Sequence, residues 1–265
     1  MKRDNFNFLH PAAARYAYNV HSQNGEDGII KKLFEVLSID HGYVCEFGAC
    51  DAIHLSNTHN IYKNNGRFIP VLMEPDVNQY NEMQKNLANI EHKIMLNLFV
   101  SPERQSNNCL DKIFDRLNLK DFHEKFRFLS IDIDSCDYEI WQSLENYRPT
   151  VVMIEINSAY PPDQEVYPCE PYGASAAIVN KLAKSKGYEL VAHTGNLIFV
   201  TREQFPKLNI KDNRLETLFS KRWAREEQFK LYSQTFLGEV TGFSRGNFND
   251  NRSGFIPDLS FLKEQ

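Results

Sequence analysis

The sequence predicts an α/β protein: a doubly wound, mostly parallel sheet with helices on both faces. Three observations predict it. Short apolar runs alternate with segments whose apolar residues recur at helical spacing. Four of those runs end in acids, as strands do when their carboxyl ends gather at one edge. The last two runs, 188–193 and 196–201, flank Thr194-Gly195 and read as a hairpin.

Each element follows in order. Residues 1–20 show little periodicity and several aromatics, Phe6, Phe8, Tyr16 and Tyr18, and read as an irregular segment on the body. Ser22-Gln23-Asn24-Gly25-Glu26-Asp27-Gly28 is a polar helix entry, followed by Ile29, Ile30, Leu33, Phe34 and Leu37 on one face. Strands are expected at 43–47, 68–74, 93–100, 126–133 and 150–156. The fifth is almost wholly apolar, as a strand buried on both faces should be. Between them, Pro75-Asp76 opens a helix with Tyr80, Met83 and Leu87 on one side. Further helices are expected around 108–117 and across Ile140, Trp141 and Leu144. Ser175 caps a helix over 176–186 that Gly187 closes. These elements define a domain over residues 1–202. Residues 203–265 read as an extension, first helical in pattern with Leu218, Phe219, Trp223, Phe229 and Leu231, then irregular. A lid, a substrate wall and a contact between copies of the chain all fit such an extension.

Composition sets bounds. The chain of 265 residues is long enough for one large core. A net charge of −5, from 30 basic and 35 acidic side chains, argues against a general nucleic-acid surface. No apolar run reaches membrane-spanning length, and Met1-Lys2-Arg3-Asp4-Asn5-Phe6 lacks the apolar stretch of a secretion signal. A cytoplasmic protein is expected. Cys45, Cys50, Cys109, Cys136 and Cys169 include no C-x-x-C pair, so neither a disulfide framework nor a zinc site is indicated.

The strand ends carry the chemistry. They present Glu46 with Gly48 and Asp51, Glu74, Asp132 with Asp134, and Glu155 with Asn157. Gly48 suggests close approach of a ligand to the backbone. Glu74, at the end of the second strand, is placed to accept hydrogen bonds from ribose hydroxyls; the alternative is a charge favoured at a helix N-terminus. The first turn lacks G-x-G-x-x-G, which a dinucleotide needs for its pyrophosphate. A phosphate-free ligand with cationic groups suits these acids better, which favours S-adenosylmethionine over NAD.

The chain resembles the FkbM-like class I methyltransferases over roughly residues 22–200. The resemblance rests on Ser22-Gln23-Asn24-Gly25-Glu26-Asp27, on Glu46-Phe47-Gly48-Ala49-Cys50-Asp51 followed by Ser56-Asn57-Thr58, and on Glu74-Pro75-Asp76. It continues through 129–134 with 137–141, Ile154-Glu155-Ile156-Asn157, Gly173-Ala174-Ser175 and Lys186-Gly187-Tyr188. The family often has glycine where this chain has Ala52. The resemblance implies a seven-stranded sheet with an antiparallel last strand and a cofactor across the first two strand ends. It implies that Glu46, Gly48 and Asp51 hold the methionine end and Glu74 the ribose. It places Pro75, Asp76 and Ser101 near the adenine, with Gln23 and Glu26 closing over the cofactor; for that last pair helix capping is the alternative.

A hydroxyl acceptor must lose a proton, and a base in reach helps by about 10²–10⁴-fold. Asp132 and Asp134 share a strand face and are the expected catalytic pair. His54, His59 and His193 are further candidate bases, with His193 at the hairpin turn preferred. Asp132, Asp134 and Glu155, with Asn157, form an oxygen-rich set that would suit a divalent cation, Mg or Mn; the alternative keeps Asp132 and Glu155 structural. The loop after the fifth strand holds Tyr160, Tyr167 and Tyr172, suited to stacking on a sugar or to plain packing. The expectation is therefore O-methylation of a sugar hydroxyl, or of a sugar- or nucleotide-linked precursor in polysaccharide biosynthesis. Alternatives are a phosphate-type oxygen such as a phosphoramidate, or a non-catalytic nucleotide-binding or assembly protein. The expected partner is a small carbohydrate or nucleotide-linked acceptor, with no nucleic acid and no membrane span; a homo-oligomer is compatible.

Overall fold

The computed structural model describes residues 9–133, 136–168 and 173–221. Its seven strands are β1 (Gly42–Phe47), β2 (Phe68–Met73), β3 (Ile94–Leu96), β4 (Phe126–Ile131), β5 (Val151–Glu155), β6 (Tyr188–His193) and β7 (Asn196–Thr201). They form one sheet in the order β3-β2-β1-β4-β5-β7-β6. All pairings are parallel except those of β7, which runs antiparallel to β5 and β6. The chain moves outward from β1 to β3 and returns to β4 on the other side of β1. That reversal opens a crevice at the carboxyl ends of β1 and β4.

The pleat sends alternate side chains into two cores. On one face Val44, Leu72, Phe128, Met153 and Ile198 meet α2 (Glu26–Leu37), α3 (His59–Tyr62) and α4 (Val77–Asn86). On the other, Cys45, Met73, Leu129, Ile154 and Phe199 meet α5 (Leu110–Leu117), α7 (Asp137–Ser143) and α8 (Ala176–Ser185). Each fully buried large apolar side chain contributes roughly 1.5–3 kcal/mol. Two one-turn helices unmarked by the sequence pattern, α1 (Pro11–Ala14) and α6 (Phe122–Lys125), pack at the periphery.

Several boundaries differ from expectation. The third strand is three residues long, not eight, because it is an edge strand bonded only to β2. Beyond it, Leu98, Phe99 and Val100 turn across the carboxyl end of the sheet. Ser175 holds the N-cap position of α8 but makes no capping bond; its Oγ accepts from the Val166 N–H at 2.9 Å. Gly187 closes that helix with φ of 78°. Between 203 and 221 the expected long helical pattern is a 3₁₀ turn (Phe205–Leu208) and α9 (Leu215–Leu218). Leu215, Leu218 and Phe219 are buried against the body. Trp223, Phe229, Leu231 and the rest of the extension lie outside the described residues, as do Phe6, Phe8, Asp134, Cys169 and Tyr172.

Candidate functional site

A cavity of about 330 Å³ opens at the carboxyl ends of β1, β2 and β4. Of the residues singled out in the sequence, Gln23, Glu46, Gly48, Glu74, Pro75 and Asp132 line it. The sheet register explains the convergence: Glu46 pairs with Leu72 and Ser130, so three strand ends fall side by side.

Glu46 is buried and fully engaged. Its Oε2 accepts from Ser56 Oγ at 2.7 Å and Thr58 Oγ1 at 2.5 Å, and its Oε1 from the Asn57 N–H at 2.8 Å. Burial raises its carboxyl above the ordinary value, and the bonds from Thr58, Ser56 and Asn57 oppose that rise. The block Ser56-Asn57-Thr58 thus acts as a clamp on Glu46. Glu74 is equally built in: Oε2 accepts from the Cys50 N–H and Oε1 from the Asp76 N–H, both at 2.8 Å. Asn97 Nδ2 holds the Glu74 carbonyl at 2.7 Å. Each Glu74 oxygen keeps a second lone-pair direction for a ligand hydroxyl.

Gly48 lines the cavity and has a structural reason besides the one expected. Its φ is +69°, and a Cβ would meet Ile133 Cγ2 at 2.7 Å and the Asp132 carbonyl at 3.0 Å. The glycine is required by the neighbouring strand end and by its left-handed backbone. The loop after it repeats that backbone conformation with side chains attached: Cys50 (φ 48°), Ala52 (φ 62°) and Leu55 (φ 60°). Such residues are uncommon and cost of order 1 kcal/mol each. Ala52 is one of them, where glycine would sit without strain.

Asp51 holds this loop together and does not line the cavity. Its Oδ1 accepts from the Ile53 and His54 N–H groups at 2.9 Å, and its Oδ2 lies 2.5 Å from His54 Nδ1. Burial would raise the Asp51 carboxyl, but the bonds from His54 and the two backbone donors outweigh it and hold the carboxyl below its usual range. His54 does line the cavity, beside Leu55 and Asn57.

The remaining predicted residues sit elsewhere. Glu26 is fully buried; its Oε2 accepts from the Asn24 N–H at 2.7 Å, and burial raises its carboxyl. Asp76 caps α4, accepting from the Asn78 and Gln79 N–H groups at 2.9 Å. Ser101 Oγ accepts from the Glu103 N–H at 3.2 Å. Neither Asp76 nor Ser101 lines the cavity, whose wall there is Leu98, Phe99 and Val100. The sequence pattern read those three as strand continuation, which hid them.

His193, preferred as a base, is wholly buried. The Ser220 N–H donates to its Nδ1 at 2.9 Å, so Nε2 carries the hydrogen and donates to Ser158 Oγ at 2.8 Å. The ring stacks on Phe219, and burial lowers its pKa to about 3. With both nitrogens committed inside the fold, it is a structural residue. His59 is also buried, its pKa lowered to about 4 by burial first and then by the charges of His21 and Lys63.

Asp132 and Glu155 follow Ile131 and Ile154, which pair across β4 and β5, so the two acids flank each other at the strand ends. Among the described residues, no group of three His, Cys, Asp or Glu side chains is placed to hold a metal ion. Asp134, the third member of the expected set, lies outside those residues. Tyr160 is buried, and Tyr167 is exposed with its ring edge-on to Tyr138 at 6.1 Å. No helix among the described residues is long and apolar enough to cross a membrane.

No protein-family model matches the chain, and no curated protein matches it in sequence. Among solved structures it is similar to the CurJ carbon methyltransferase, with a TM-score of 0.42 and 9% identity over 66% of this chain and 52% of that one, about half its length. It is similar to M. capricolum TrmK in complex with S-adenosyl-homocysteine (TM-score 0.40, 13% identity, 83% and 88% covered). It is also similar to an S-adenosylmethionine-dependent methyltransferase from Clostridium acetobutylicum (TM-score 0.42, 12% identity, 69% and 93% covered). These likenesses concern the fold alone.

Proposed function

We propose that this protein is an S-adenosylmethionine-dependent methyltransferase of the FkbM-like kind. One observation carries the reading: Glu46, Glu74 and Asp132 converge on one cavity that has no glycine-lined phosphate turn and no Lys or Arg in its described wall. Such a wall disfavours a pyrophosphate and favours a ligand with hydroxyls and positive charge. Its volume suits a small-molecule site.

When bound, S-adenosylmethionine would supply an electrophilic methyl group for in-line displacement. The chain's own residues would do the rest. Glu74 would accept from ribose hydroxyls while the Cys50 and Asp76 N–H groups fix its plane. Glu46, clamped by Ser56, Asn57 and Thr58, would hold the turn and give the cavity floor its negative potential. Leu98, Phe99 and Val100 would give an apolar wall for a flat ring. Asp132 would stand at the acceptor side and, with Asp134, draw the proton from the acceptor oxygen; a pre-set arrangement of this kind supplies much of a transfer rate by orientation.

The acceptor we favour is a sugar hydroxyl on a carbohydrate or nucleotide-linked precursor of a surface polysaccharide, with a phosphate-type oxygen as the alternative. The Tyr160 and Tyr167 segment after β5 supports a flat, hydroxylated acceptor. A divalent cation held by Asp132, Asp134 and Glu155 is a separate proposal, and unchanged turnover in EDTA would remove it. The first experiment is thermal unfolding with S-adenosylhomocysteine. At a hundredfold excess over Kd the ligand should add about 2.7 kcal/mol to the apparent stability. An unmoved midpoint at millimolar ligand would leave the non-catalytic reading in its place.

A further inference from the structure

Among the described residues of the cavity wall, three are acids and one, His54, is able to carry positive charge. That ring is held in place although its side chain is 85% exposed. Asp51 Oδ2 sits 2.5 Å from Nδ1, and Asp51 is itself pinned through Oδ1 by two backbone N–H groups and through its carbonyl by Asn86 Nδ2 at 2.9 Å. The arrangement leaves Nε2 unengaged by the described residues. Next to His54 in the wall, the Asn57 carboxamide is nearly buried and has no hydrogen-bond partner among the described residues. The Ser56 hydroxyl is already committed to Glu46. The donors still available on this side of the cavity are therefore the Asn57 amide and, when the ring carries both protons, His54 Nε2, with Gln23 also in the wall.

We infer that His54, oriented by Asp51, binds the carboxylate of the ligand's amino-acid end and makes the site select S-adenosylhomocysteine over ligands that lack it. This rests on the methyltransferase reading. A zwitterionic ligand fits an acidic cavity only if its one anionic group meets a donor, and an acid-paired imidazole is a strong one. The groups facing the ring are Asp51 from its own loop and His21 from the segment before α2. Lys63 bonds to His21 Nε2 at 2.9 Å behind it.

The test compares three probes by calorimetry on the full chain: S-adenosylhomocysteine, its decarboxylated analogue 5′-(3-aminopropylthio)-5′-deoxyadenosine, and 5′-methylthioadenosine. His54→Ala should weaken S-adenosylhomocysteine about tenfold while the other two hold within about twofold. Asp51→Asn should lower the ratio between S-adenosylhomocysteine and its decarboxylated analogue in the same direction, a readout that general loosening of the loop would not move. Equal losses for all three probes, or unchanged S-adenosylhomocysteine affinity in His54→Ala and His54→Gln, would overturn the inference alone. Wild-type protein that binds none of the three would overturn the methyltransferase reading with it.

Discussion

The two halves of the strand-end edge use the same kinds of residue in opposite ways. Over β1 and β2, Glu46 and Glu74 take their hydrogen bonds from loops that curve away, and the space between them stays open as a cavity. Over β5 and β7, the polar residues bond to one another and close the gap. Asn157 Oδ1 accepts from the Ala159 N–H at 2.9 Å, Ser158 bridges His193 and the Gly195 carbonyl, and His193 is sealed by Ser220 and Phe219. A polar residue at a strand end therefore signals a site only where its partners leave room for something else. The same contrast separates the two histidines: His193 is consumed by the fold, and His54 is presented by it.

Removing Glu46 is the largest perturbation of the open half. Glu46→Ala would leave the Ser56 and Thr58 hydroxyls and the Asn57 N–H without their acceptor in a buried place. We expect a loss of about 3 kcal/mol or more in urea unfolding, with loss of S-adenosylhomocysteine binding as the cavity floor collapses. If the variant were as stable as wild type, the clamp would not be what holds the cavity open.

The closed half is probed by pH. His193 has an ordinary value of 6.5 when unfolded and about 3 in the fold. The folded state thus binds fewer protons than the unfolded state between these values, and stability is lost as pH falls through that window. Protonation would also force Nδ1 to give up the Ser220 N–H. From about pH 6.5 to about pH 4.5, His193 should remove about 2 kcal/mol from wild-type stability. His193→Gln should be less stable at neutral pH but show a correspondingly flatter slope. Buried Glu26 and Glu46, whose carboxyls are raised by burial, act with the opposite sign in both proteins, so the difference between the two slopes isolates His193. Parallel slopes would show that the ring is not the sealed, neutral strut described.

Much of this was legible in the sequence. The seven strands, the hairpin and the convergence of Glu46, Glu74 and Asp132 follow from periodicity and from acids at run ends. Hydrophobic alternation reports burial directly, and burial is what a sheet needs. What stayed hidden depends on where a side chain points after the strand stops. Asp51 and Asp76 read as ligand contacts, yet a carboxylate near backbone N–H groups turns back to them first. Leu98, Phe99 and Val100 look like strand because wall and strand share composition. His54 and His193 are indistinguishable by residue type. Only the packing of Phe219, brought from 26 residues downstream, separates them.

Asp76 gives the smallest expected effect and the sharpest contrast with Glu74, two residues before it. Both acids lie in the Glu74-Pro75-Asp76 block, but Glu74 lines the cavity and Asp76 caps α4. Asp76→Ala removes one capping acceptor from two N–H donors in an exposed first turn. It should cost about 1 kcal/mol of stability. S-adenosylhomocysteine affinity should stay within about twofold of wild type, since a contact to a charged group would have been worth about tenfold. Glu74→Gln should weaken the ligand more than Asp76→Ala does, and it should also cost stability, because its NH2 would face one of the Cys50 and Asp76 N–H donors. If Asp76→Ala weakens binding as strongly as Glu74→Gln, the boundary between strut and ligand contact runs one turn further along the chain than the hydrogen bonds place it.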